Sequence, residues 1–241
     1  MTRTIAIAKL GPIVAILLVA GRHPGHAVAA NMHGQDAAVR PIQAVQPSPA
    51  NGSTDAKLRD AAEPFETLTE TAFTASRAAL GKMVADAIVA ARSAQTLLPE
   101  QSTKRFGDEM AALKAAYRHD RRAAIALSSI EVYRILVTAV GDGAKVPAGV
   151  SLLDYAAYRY RADLKTNPRR WPDMADAVGF ARQTWTVLMP KVGSPALEAK
   201  VLSAINAMEQ AAGRKDASAA AKAAQTQLDL VDDLEKHFAS R

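Results

Sequence analysis

The chain contains no cysteine in its 241 residues. That absence excludes disulfides, thiolate metal sites, iron–sulfur clusters, thioether-bound haem and a lipidated N-terminal cysteine. Aromatic residues make up only 5%, and the Val/Ile/Tyr/Phe/Thr runs that mark strands are nearly absent after residue 55. Long apolar runs are missing too. Beyond the N-terminus no segment approaches the ~18 unbroken apolar residues of a spanning helix, so no membrane span is expected once a leader is removed.

Catalytic signatures are equally scarce. No His-Glu-x-x-His, P-loop, Gly-x-Ser-x-Gly or Glu-x-x-His pattern occurs. The expectation is a protein that is not an enzyme. Charge of one sign is also in short supply. The formal net charge is +6, and Arg3, Lys9 and Arg22 contribute three of it before any acid appears. Arg118, Arg121 and Arg122 cluster without the aromatic or Gly-rich pattern of a nucleic-acid surface, so no nucleic-acid partner is expected.

What the sequence does have is alanine, the strongest helix former, in helical phase with Leu, Val, Ile and Met. The fold class expected is all-α. At the N-terminus, Arg3 and Lys9 precede an apolar stretch from Leu10 to Ala20, and small residues follow at Ala27, Ala29 and Ala30. This is the three-part pattern of a secretory signal peptide over residues 1–30, with the periplasm as the expected destination. Residues 31–55 hold Pro41, Pro47, Pro49, Gly34 and Gly52 with few bulky apolar residues, the composition of a disordered tether. Residues 56–241 form the expected bundle domain.

Within that domain the pattern predicts four long helices. The first runs from Thr54 or Asp55 to Leu98, with Phe65, Leu68, Ala72, Ser76, Met83, Ala90 and Leu97 on one stripe. The second runs from Thr103 to Val140. Its stripe of Phe106, Met110, Leu113, Tyr117, Asp120, Ala124, Leu127, Glu131, Ile135 and Thr138 alternates fours and threes, the 3.5-residue period of bundles. A third helix from Ser151 is split at Asn167-Pro168, and a last helical region opens at Ser194-Pro195, with a break expected at Gly213. Short connections favour an up-and-down arrangement.

Three groups of residues are candidates for a site. Asp120 and Glu131 sit where the stripe calls for Leu. A buried carboxylate must be paired, protonated or bound to a cation. Tyr133 and Arg134 beside Glu131, with Asp154, Tyr155, Tyr158 and Arg161 on the next helix, offer either a register-fixing polar network or a small-molecule or ion site. The Tyr/Arg composition of 155–161 also suits a binding surface. The last group depends on cleavage. If it follows Ala30 rather than Ala29, the chain begins Asn31-Met32-His33, which resembles the amino-terminal copper and nickel motif. The amine, two amides and a third-position imidazole then offer square-planar nitrogen ligation to Cu or Ni. The functional expectation is an exported binding or interaction protein, with a protein partner or small ligand and no other cofactor. The alternative is a periplasmic metal-handling protein.

Overall fold

Two of the predicted long helices fold back on themselves at turns that the periodicity passes over. In the computed structural model, which describes residues 52–241 except 142, the first is a pair, α1 (Gly52–Thr71) and α2 (Arg77–Gln95). Ser76, expected on the core stripe, instead caps α2: its hydroxyl accepts a hydrogen bond from the Ala79 amide at 3.1 Å. The second is likewise a pair, α3 (Glu100–Arg118) and α4 (Arg122–Thr138). The chain reverses at Asp120, whose φ of 50° is left-handed. Arg122 ties the two turns together by donating to the Ala72 and Ala75 carbonyls at 3.0 and 2.6 Å.

The third predicted helix splits as expected, into α5 (Ala148–Leu164) and α6 (Trp171–Val192). The last region divides into α7 (Pro195–Arg214) and α8 (Ala217–Ala239). Its break lies at Lys215, with φ of 53°, and Asp216, which caps α8 through the Ser218 and Ala219 amides. Gly213 stays helical. The described residues are therefore eight helices without a strand, all-α as expected, with the first two predicted helices each divided where no break was expected. The expected signal peptide, most of the tether and Asn31-Met32-His33 lie outside the described residues.

The helices form two successive four-helix groups. In the first, α4 packs on α1 and α3, and α2 on α1 and, more lightly, α3. In the second, α5 packs on α6 and α8, which close around α7. The α4–α5 contact joins the groups. These two helices are the central rods: nearly every residue from Ile125 to Val137, and most from Val150 to Leu164, is buried. One face of α5 sends Tyr155, Ala157, Tyr158 and Ala162 into the first core. Another sends Val150, Leu153, Ala156 and Tyr160 into the second. Polar residues on α4 and α5 consequently meet protein on every side.

Candidate functional site

The two stripe carboxylates have different fates. Asp120 is half-exposed in the α3–α4 turn, where it faces Arg122 at 3.1 Å and Arg77 at 3.5 Å. It does not reach the core, because the chain reversal at this residue carries it off the helix surface on which the heptad was counted. Glu131 is buried on α4. Its Oε1 accepts hydrogen bonds from Tyr155 Oη at 2.7 Å and from Arg159. Its Oε2 accepts from Arg105 at 2.9 Å and Arg134 at 3.2 Å. Burial by itself raises the pKa of Glu131, but the guanidinium groups of Arg134 and Arg159, with Tyr155 and Arg105, outweigh it and hold the carboxyl below its usual value.

The chain of charges continues along α5. Arg159 also donates to Asp163 at 2.9 Å, and Asp163, fully buried, lies 3.6 Å from Arg170 at the head of α6. Burial raises Asp163 to about 6 against the pull of Arg159 and Arg170. Glu131 has donors at both oxygens, which fills a carboxylate's acceptor capacity. Glu131 and its partners form a polar network that links α3, α4 and α5 and continues through Asp163 to Arg170 at the head of α6. Arg134 also lies 5.6 Å from the Tyr155 ring centroid, and that ring packs edge-on against Phe180.

Asp154, one turn before Tyr158 on α5, is treated differently. It is as buried as Glu131, yet no lysine or arginine reaches it among the described residues. Tyr133 Oη donates to its Oδ2 across a long 3.4 Å. Burial pushes its pKa well above the carboxylate range, and two further acids, Glu66 on α1 and Glu235 on α8, push it the same way. Burial, then Glu235, Glu70 and Glu63, raise Glu66 to about 7. Glu235 is raised by burial and by Asp232, against Arg59 and Lys236. Acids on α1 and α8 thus act electrostatically on Asp154 on α5. Tyr158 borders this region with its ring under Arg161, whose guanidinium carbon is 5.1 Å from the centroid.

The sequence residues therefore sort into two neighbourhoods. Glu131, Arg134 and Tyr155 belong to the closed network, whereas Tyr133, Asp154 and Tyr158 line the acidic junction. Arg105, Asp163, Glu66 and Glu235 were not singled out from the sequence. The Arg159-x-x-x-Asp163 spacing carried a signal for one of them. Nothing local marks Glu66 or Glu235, which reach Asp154 only through the packing of α1 and α8. Among the described residues no three His, Asp or Glu side chains converge as a metal-binding group. No protein-family model, curated protein or solved structure matches this chain.

Proposed function

We propose that the chain is an exported, non-catalytic helical binding protein whose ligand is a small organic cation held at Asp154, with Glu66 and Glu235 at the rim. The observation that carries this reading is the contrast between two buried carboxylates. Where this protein buries Glu131, it surrounds it with three guanidinium groups. Where it buries Asp154, the neighbouring charges are acids, and the hydrogen bond from Tyr133 is a long one at 3.4 Å. With no cation nearby among the described residues, burial and the neighbouring acids keep Asp154 protonated; an ammonium group would displace that proton by supplying both the charge and the donors. Tyr133 adds a hydroxyl beside the carboxyl. The dispersal of the acids over three helices favours an extended cation with several nitrogens over a single metal ion.

Spermidine is the probe. At pH 7.5 it is expected to raise the thermal midpoint of the wild type by several degrees and to give saturable heat in calorimetry, neither of which survives in Asp154→Asn. Equal binding by wild type and Asp154→Asn, or none by either, defeats the proposal.

A second reading, copper or nickel handling, rests on the sequence Asn31-Met32-His33. Its test is the intact mass of the exported protein followed by Ni(II) titration. A start at Ala30, or no stoichiometric uptake, removes it.

A further inference from the structure

The outer seam between α7 and α8 is an open trough of about 500 Å³. On the α7 wall Lys200, Ala204, Ala207, Ala211 and Arg214 recur at four, three, four, three, with Ser203 and Gln210 beside them. On the α8 wall Asp216, Ala219, Ala223, Thr226 and Leu230 are spaced three, four, three, four. Both walls thus follow the 3.5-residue period that a packed helix reads. Fourteen residues of helix give the trough a length of ~21 Å. Its floor is alanine, which lets another backbone approach closely. Among the described helices α7 packs mainly on α6 and α8, and α8 mainly on α5 and α7, and the trough lies open between them.

The rim is cationic. Lys200, Arg214 and Lys222 are exposed, and none has an ion-pair partner among the described residues. The one acid of the trough, Asp216, is engaged in capping α8. Lys200 and Arg214 stand at opposite ends of the trough. A ligand with a single anionic head can neutralise one of these charges. An occupant that meets all three must carry carboxylates along its length and small or apolar residues facing the alanine floor.

We infer that the α7–α8 trough is the docking site for an acidic amphipathic helix of a partner protein, laid along the seam as a third strand. Its apolar i, i+3, i+4, i+7 stripe seats on Ala204, Ala207, Ala211, Ala219 and Ala223. Its flanking Glu or Asp side chains meet Lys200, Lys222 and Arg214. This site is separate from the Asp154 carboxylates and does not depend on the cation reading.

The test uses the full chain and a fluorescent synthetic helix of about three heptads, Leu and Ala on one stripe and Glu on the flanks, against a scrambled peptide of equal composition. The designed helix is expected to bind saturably and to lose affinity as salt rises. Lys200→Glu/Lys222→Glu is expected to weaken it by about tenfold or more through charge. Ala207→Phe, at an exposed floor position, is expected to weaken it comparably by filling the trough with the charge unchanged. Equal binding of the scrambled peptide overturns the inference, as does wild-type affinity in both variants or no binding of the designed helix. Self-association abolished by Ala207→Phe would assign the trough to a second copy of this chain. Binding to phosphatidylglycerol vesicles abolished by the charge variant, without peptide binding, would assign it to anionic lipid. Either outcome also overturns the inference.

Discussion

Glu131 and Asp154 lie on adjacent central helices, and the difference between them is a matter of neighbours. Removing the charge of Glu131 leaves Arg105, Arg134 and Arg159 facing one another in a site with little water. Breaking one partner out of a buried ion cluster costs about 3–5 kcal/mol. Glu131→Gln is therefore expected to lower the unfolding free energy by that order in urea titrations at pH 7; a loss below about 1 kcal/mol would mean that the network contributes nothing beyond a surface pair. The stabilisation has a pH signature. Because the folded carboxyl of Glu131 titrates below its unfolded value, its contribution is present above that value and is lost as pH falls through the folded pKa. Glu66 works in the opposite direction. Its folded pKa is raised from 4.5 to about 7, so over that window the folded state holds a proton that the unfolded state has released, and stability falls as pH rises. Glu66→Gln is expected to flatten the fall in urea midpoint across that window and to leave the ligand-free protein more stable than wild type above it. Parallel pH profiles for the two proteins would count against the acidic junction.

At the scale of elements, what could be read from the sequence was the presence and phase of helix, and what could not be read was where helices end. The stripe from Phe106 to Thr138 runs unbroken in the sequence across two helices, yet after the turn at His119 to Arg121 its positions Ala124, Leu127 and Thr138 are only partly buried. Only the left-handed backbone at Asp120 and the tether from Arg122 to the Ala72 and Ala75 carbonyls reveal the reversal. Neither has a local signature, since Asp and Arg are ordinary on a helix face. The same holds for the site. Glu131, Tyr155 and Asp154 were visible as polar residues in core phase, but Glu66 and Glu235 lie on helices far away in sequence and act on Asp154 only once those helices have packed. Lys215 is a further case: with φ of 53° it occupies the position of a helix-terminating glycine. Glycines within helices carry the reverse information. A Cβ added at Gly107 on α3 meets nothing within 4 Å, whereas one added at Gly81 on α2 collides with the Tyr117 hydroxyl. Gly107→Ala is thus expected to stabilise the protein by about 0.5–1 kcal/mol. Gly81→Ala is expected to gain less or to lose stability, because the α2–α3 contact must shift. Thermal midpoints of the two variants check this, and an equal gain in both would show that α2 and α3 have room to spare.

At the scale of the whole molecule, the question is whether two four-helix groups behave as one folding unit. Their cores are distinct, but α5 contributes to both, and Leu228 from α8 packs into the first. The ion network likewise runs from Arg105 on α3 through Glu131 and Arg159 to Asp163 and Arg170. If the first group unfolds, α5 loses its packing on α4 and Arg159 loses Glu131, so the second group should not persist on its own. The expectation is one cooperative transition. The positions of the tryptophans provide the test, because both, Trp171 and Trp185, lie on α6 in the second group. Tryptophan fluorescence therefore reports that group, while far-UV circular dichroism reports all eight helices. The two urea curves are expected to coincide. Leu58→Ala, which empties a fully buried site on α1 in the first core, is expected to cost about 2–5 kcal/mol and to move the fluorescence midpoint by as much as the dichroism midpoint. A fluorescence curve left in place while the dichroism curve moves would show that α5 does not couple the two groups. The acidic junction, built from α1, α5 and α8, would then open whenever the first group does, and ligand affinity would follow the stability of that group alone.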